Sequence, residues 1–196
     1  MFCASSYIPK EKSKYRFCVD FRALNAVTKF DPYPLPTLEE TTSNLHGSKY
    51  FSISDCCSGF CQMSIKEHRE RTRFTVSSAH YKFNRLTFGS SNNPSNIQRL
   101  MDAALKNLVG RECWVFIDDV IFSSTAEEYA LRLENVLRIL DEANLQLHPS
   151  KCVFAQNQVK YLGYVLSGRG IFYSPEKVKA VREYPNPRSI RRYIIS

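Results

Sequence analysis

No run of apolar residues in this chain is long enough to cross a membrane, and no secretory leader opens it. Membrane passage and secretion are therefore not expected. Internal repeats and low-complexity tracts are also missing, so neither a solenoid nor a compositionally disordered chain is indicated. Cys57-x3-Cys61 and His148-x3-Cys152 have no well-spaced second pair, which argues against structural zinc. The seven cysteines are Cys3, Cys18, Cys56, Cys57, Cys61, Cys113 and Cys152. Their number is odd and most sit in apolar runs, which suits reduced, buried thiols in an intracellular protein.

What is present is a chain of 196 residues, 43% of them apolar, enough for one domain or two small lobes sharing a core. Aromatic rings are plentiful, with 13 Phe, 11 Tyr and one Trp. Core packing is the default role for each ring, and base stacking is the alternative. The net charge of +8 is unevenly spread. Residues 1–30, 66–85 and 176–196 each hold six basic and two acidic side chains, so the rest of the chain is net acidic. Three basic segments suit a polyanion lying across several parts of the protein, and solvated surface is the alternative.

Patterning predicts a strand over 15–21, after an irregular, lysine-rich start. The segment Asp31-Pro32-Tyr33-Pro34-Leu35-Pro36 is extended and rigid, because proline does not fit a helix interior. A short helix is expected over 37–45 and a strand over 49–54, delivering Asp55 at its end. Short strands are expected at 73–76 and 81–86. Pro94 and Ser95 open the clearest helix, carrying Ile97, Leu100, Met101, Ala104, Leu105 and Leu108 to a stop at Gly110. Two apolar runs, 113–117 and 120–122, flank Asp118-Asp119 and predict a hairpin with the acids at its tip. Thr125-x-x-Glu128 offers a capping box for a second amphipathic helix. A last hairpin is expected from 161–166 and 170–173. Mixed strands and helices without a βαβ repeat predict an α+β fold with a largely antiparallel sheet.

Adjacent carboxylates in an apolar hairpin repel and lose hydration, and a cation relieves both. By strand alternation Asp118 shares a face with Phe116 and Asp119 with Ile117. If the strands are neighbours, Asp55 and Asp118 are placed to hold two Mg²⁺ about 3.5–4 Å apart, with Mn²⁺ as a substitute. The residues alone leave a second reading open, a turn that uses Asp for its shape.

Phe116-Ile117-Asp118-Asp119 resembles the aromatic-x-Asp-Asp box of reverse transcriptases, and Asp55-Cys56-Cys57-Ser58-Gly59-Phe60-Cys61-Gln62 is similar to their Asp-x-x-Ser-Gly-aromatic-x-Gln motif. Arg16-x-Cys18-Val19-Asp20-Phe21-Arg22-Ala23-Leu24-Asn25 resembles the fingers segment. Tyr33-Pro34-Leu35-Pro36, Phe88-Gly89, Gln98-Arg99-Leu100-Met101, Ser150-Lys151-Cys152 and Tyr161-Leu162-Gly163 resemble gypsy-type LTR retrotransposon Pol polyproteins, in order and over nearly the whole chain.

This resemblance implies a right-hand polymerase: fingers at 1–30 and 63–93, palm at 31–62 and 94–170, and a truncated start of thumb or connection at 171–196. It implies an RNA-directed DNA polymerase using two Mg²⁺ on Asp55, Asp118 and Asp119. The implied nucleotide site comprises Lys10, Arg16, Phe60, Gln62, Phe88, Gly89, Gln98 and Lys151, with Phe60 under the incoming sugar. Leu162 and Gly163 would hold the primer. Implied partners are an RNA or DNA template with primer, deoxynucleoside triphosphates, and either a second copy or other Pol domains. The implied location is a cytoplasmic particle or the nucleus.

The chain departs from the family pattern at Cys56, at Arg73 and in a polar stretch over 87–97. A buried Arg73 would need a partner or would strain the fingers. The ends suggest truncation and an internal deletion or gene-model error near 190. A catalytically decayed, nucleic-acid-binding fragment is therefore the alternative function.

Overall fold

The computed structural model describes residues 5–10, 14–37, 40, 45, 48–65 and 67–184, those up to 17 by backbone alone. The helix expected over 37–45 and the segment 185–196 lie largely or wholly outside the described residues.

The chain opens with an antiparallel hairpin, β1 (Ser5–Lys10) and β2 (Lys14–Val19), followed by a short helix α1 (Arg22–Val27). The expected strand is thus shorter than 15–21, because Phe21 already caps α1. β3 (Tyr50–Asp55) leads into a four-residue helix α2 (Gly59–Gln62). A small hairpin follows, β4 (Phe74–Val76) with β5 (Ala79–Tyr81), so the strand expected over 81–86 ends as it begins. Arg73 is exposed and paired with Glu70, so the buried, strained arginine is not found.

α3 (Asn93–Ala104) is the expected long helix, though turns replace it before Gly110. The hairpin of β6 (Cys113–Phe116) and β7 (Asp119–Ser124) precedes α4 (Tyr129–Glu142). No capping box forms at α4. Glu128 is its cap without a side-chain bond, and Thr125 engages Glu127 instead. β8 (Val153–Gln156), β9 (Gln158–Tyr161), β10 (Tyr164–Ser167), β11 (Gly170–Tyr173) and α5 (Pro175–Arg182) complete the described chain. The strand expected over 161–166 is broken. Leu162 and Gly163 take positive φ, 48° and 78°, and form the two-residue turn between β9 and β10.

Four strands form the central antiparallel sheet, in the order β6-β7-β3-β8. Alternation along β6 and β7 sends Val115, Val120 and Phe122 to one face, where Ile97 and Met101 of α3, Leu105 at its C-terminal cap, and Val136 and Leu140 of α4 cover them. Trp114, Ile121 and Phe51 point to the other face, against Val159, Tyr161 and Leu166 of the β9–β11 sheet. Both faces are covered, so the strands read as apolar runs, and Ser52 and Ser54 are buried with them. Only the strand ends are left to carry charge. No helix among the described residues is long and apolar enough to cross a membrane.

Candidate active site

The three acids converge at one end of the central sheet. Asp55, the last residue of β3, lies directly opposite Asp119, the first of β7. Residues directly opposite in an antiparallel pair share a face, so these two carboxylates point the same way. This corrects the expectation that Asp118 shares a face with Phe116 and Asp119 with Ile117, since Asp119 is the acid paired with Phe116. The hairpin turn is not Asp118-Asp119 but Ile117 and Asp118, with Phe116 paired to Asp119. Ile117 adopts φ 58°, which breaks the strand alternation before Asp118. Asp118 is held beside the pair by its carbonyl, which accepts from the Cys56 N–H at 3.0 Å.

The carboxylate of Asp118 rests against Gly59, and a Cβ built there would lie 2.3 Å from Oδ1. That oxygen is buried and has no hydrogen-bond partner among the described residues. Burial, then Asp119, then Asp55 push the Asp118 carboxyl up to about 6, against a weaker opposing pull from Lys151. Burial and Asp55 raise Asp119 as well. Lys151 forks onto Asp55, with Nζ 2.9 Å from each carboxylate oxygen. The turn that carries this lysine is fastened to β3 by the His148 N–H donating to the Asp55 carbonyl at 2.8 Å. Burial and the three acids drive the Cys56 thiol up to about 12, so it stays protonated.

No three Cys, His, Asp or Glu side chains among the described residues stand preformed as a metal cage. The donor chemistry nevertheless fits a divalent cation. Three carboxylates stand at one sheet end, two of them with raised proton affinity, and one oxygen is buried without a partner among the described residues.

The predicted nucleotide residues divide into two groups. Phe60, on α2, meets Phe88 edge-on at 5.9 Å and packs partly on the core, so its ring is only half available. Lys151 reaches the acids, as stated. Gly89 takes φ 95°, and its carbonyl accepts from Asn25 Nδ2 at 2.8 Å, tying α1 to the loop before α3. Gln62 and Gln98, by contrast, are engaged elsewhere. Gln62 donates to the carbonyls of Cys57 and Gln146, both at 2.9 Å, and accepts from the Gln146 N–H at 2.7 Å. Gln98 is not the exposed helix residue its position allowed. It is 1% exposed, and its amide accepts from the Ile117 N–H at 2.7 Å. Both glutamines therefore brace backbone.

Backbone pairing sets Arg16 opposite Ile8 and Lys10 opposite Lys14, while the side chains of Lys10 and Arg16 lie outside the described residues. Leu162, partly exposed, and Gly163 stand at the β9–β10 turn, beside the Lys177 side chain. The polar substitution at Asn93 is buried. Its Nδ2 donates to the Thr87 carbonyl, and its Oδ1 has no partner among the described residues.

A twisted antiparallel sheet with helices on one face, acids at its end and a finger-like hairpin region ahead of it is the palm and fingers of a right-hand polymerase. The family described as "Reverse transcriptase (RNA-dependent DNA polymerase)" matches residues 8–166. Pol polyproteins of the Drosophila melanogaster transposons opus and gypsy are both 40% identical, over 93% and 88% of this chain. A foamy viral protease-reverse transcriptase in complex with double-stranded DNA superposes with a TM-score of 0.84 at 28% identity, over 94% of this chain and 33% of that one. The chain belongs to the reverse transcriptase family, in its gypsy type. It spans only 18% and 17% of the length of the opus and gypsy polyproteins.

Proposed function

We propose that this chain is the polymerase domain of a retroelement polyprotein, adding deoxynucleotides to a primer 3′ end on an RNA or DNA template. The observation that carries this reading is the meeting of Asp55, Asp118 and Asp119 at one sheet end, with a buried Asp118 oxygen left unpartnered. Oxygen-only ligands favour Mg²⁺, or Mn²⁺ in its place, and two such ions would be held by these three acids. When bound, the ions activate the primer hydroxyl and stabilise the leaving pyrophosphate.

The protein's own part is positioning. β3 and β7 fix Asp55 and Asp119 in register, and the braced turn fixes Asp118. Lys151 forks onto Asp55 at the rim of the acids, where it would meet the leaving pyrophosphate. Lys10 and Arg16 would grip the triphosphate, Phe88 and Gly89 would shape its pocket with Gln62 and Gln98 bracing it, and Leu162 and Gly163 would hold the primer. In this reading residues 1–30 and 63–93 are fingers, 31–62 and 94–170 palm, and 171–196 the start of the next subdomain. A groove of about 770 Å³ bordered by Arg71 and Tyr81, and by Arg73 and Lys82, both paired to Glu70, adds an aromatic surface of net positive charge suited to nucleic acid. The described cysteines are free thiols, which suits an intracellular particle or nucleus, although only Cys56 and Cys113 are buried as expected, Cys18, Cys57 and Cys152 being partly exposed and Cys61 exposed.

The test is primer extension by the purified chain over a Mg²⁺ titration, beside nucleic-acid binding in the same preparation. Extension that needs the metal is expected. Binding without extension at any Mg²⁺ or Mn²⁺ concentration would favour the decayed fragment instead, a reading that the unsatisfied Asn93 oxygen beside the Thr87 loop supports.

Phe60 supplies a sharper test of substrate choice. Its ring, perpendicular to that of Phe88 and only partly buried against the core, would form the wall under a sugar. Phe60→Val should keep some deoxynucleotide incorporation and raise the ribo-to-deoxy ratio of kcat/KM about tenfold or more, since removing a steric block changes discrimination by roughly 1–3 kcal/mol. An unchanged ratio would leave Phe60 a core residue only.

A further inference from the structure

One face of α3 is zipped along the extended segment 29–33 by a file of polar side chains. Asn92 Nδ2 donates to the Lys29 carbonyl at 2.9 Å, and Ser95 Oγ donates to the Asp31 carbonyl at 2.8 Å. Arg99 forks onto the Asp31 carboxylate at 2.8 and 3.1 Å and stacks over the Tyr33 ring at 4.6 Å. Asp102 then accepts from the Tyr33 hydroxyl at 2.8 Å. The positions 92, 95, 99 and 102 follow the three-and-four spacing of one helical face.

Asp102 also faces inward. Its other oxygen accepts from Gln98 Nε2 at 2.9 Å, and the same Nε2 donates to the Val115 carbonyl at 3.2 Å. An amide whose nitrogen is held by two acceptors has one orientation open to it, with Oε1 pointing away from them. That oxygen takes the N–H of Ile117, the left-handed residue next to Asp118. A flipped amide would set NH₂ against N–H and leave a buried donor unpaired. Gln98 is almost fully buried, so its bonds to Val115 and Ile117 are shielded from water.

We propose that Tyr33, Asp102 and Gln98 form a positioning relay that locks the turn of Ile117 and Asp118. Tyr33 orients Asp102, Asp102 fixes the flip of Gln98, and Gln98 holds Ile117 at a positive φ that a β-branched residue adopts only under restraint. The proline-bounded segment thereby bears on the acids through α3, although its residues contact none of them in the bonds described. The relay rests on the polymerase reading only for its catalytic readout. Its structural readout is independent of activity.

The test exploits the donor pattern. In Gln98→Glu two acids face each other and the donor to Asp102 is lost. In the double variant Gln98→Glu with Asp102→Asn, the new amide donates to the new carboxylate, which still accepts from Ile117, while the Val115 carbonyl goes without its donor in both variants, so the rescue is partial. Hydrogen exchange of the Ile117 amide should speed up in Gln98→Glu and slow again in the double variant. Primer extension should fall about 100-fold in kcat in the single variant and recover about tenfold or more in the double, because a misplacement near 1 Å is felt on that scale. Tyr33→Phe, remote and mild, should lower kcat several-fold with KM for the nucleotide unchanged and with faster Ile117 exchange. It also serves should Gln98→Glu fail to fold.

A double variant no better than the single, or Ile117 exchange unmoved in Tyr33→Phe, would overturn the relay. If the parent chain shows no extension, the polymerase reading falls, and exchange at Ile117 still decides the relay.

Discussion

Replacing Asp118 with asparagine is expected to stop primer extension and, at the same time, to make the metal-free protein more stable above about pH 6. The two effects have one cause. The carboxylate lies half-buried beside Asp119 and Asp55, and one of its oxygens has no partner among the described residues. Burial first, and the neighbouring acids second, raise its proton affinity until it titrates at about 6. The native state therefore binds this proton more tightly than the unfolded chain does. Its contribution to stability is fully present below the ordinary carboxyl value near 3.8 and is lost as pH rises through about 6.

Asparagine keeps the shape and never ionises, so that loss disappears. The gain at about pH 8 should be near 1 kcal/mol, a figure reduced from the full shift because the group is partly solvated. Mg²⁺ should reverse the order, stabilising the parent more than the variant, since only the parent keeps all three charges. Extension should fall at least about 100-fold, or ~2.7 kcal/mol of barrier. Thermal midpoints across pH, with and without Mg²⁺, and extension rates from the same samples check all three. A variant within tenfold of the parent in rate would rule out a ligand role for Asp118. A midpoint no higher than the parent's at pH 8 would contradict the electrostatic account.

The pairing behind this prediction was only partly legible in the sequence. Asp55 at a strand end and an acid-bearing hairpin follow from alternation and apolar runs. The face that each acid takes does not, because Ile117 adopts a conformation that its side chain disfavours and stands in the turn, so that Asp119 and not Asp118 pairs with Phe116. A local pattern cannot signal a residue held against its own preference by a bond from position 98. The same limit hid the roles of Gln62 and Gln98. Motif spacing finds the positions, but a glutamine in a pocket and a glutamine on a backbone N–H read alike.

The long amphipathic helices were readable because their burial is periodic. The short elements β1, α1 and α5 were not, since α1 and α5 bury no residue and so show no apolar stripe. Ser174 and Pro175 were the available signal for α5: the serine side chain caps the helix by accepting from the Lys177 N–H at 3.2 Å, with proline in the first turn.

Gly59 gives the converse experiment, in which stability holds and activity is lost. Its backbone conformation is open to any residue, so alanine is not strained there, and helix propensity favours alanine over glycine by about 1 kcal/mol. The obstacle is spatial. The added Cβ would sit 2.3 Å from Asp118 Oδ1 and 2.9 Å from its Cγ, inside van der Waals contact. A side-chain end can swing away at little cost in folding free energy, but this end is the carboxylate on which the proposed chemistry depends. Gly59→Ala should therefore fold with a thermal midpoint equal to or above the parent's and extend primers about 100-fold more slowly, the loss expected when a reacting group is moved by about 1 Å. The defect should fall on kcat and on the Mg²⁺ dependence, leaving nucleic-acid binding as it was, because Gly59 lies outside all three basic segments. Circular dichroism melts, a binding isotherm and an extension ladder from one preparation separate these quantities. Activity within threefold of the parent would show that Asp118 need not occupy the place it holds against Gly59, and that its metal role, if it has one, is reached from another rotamer.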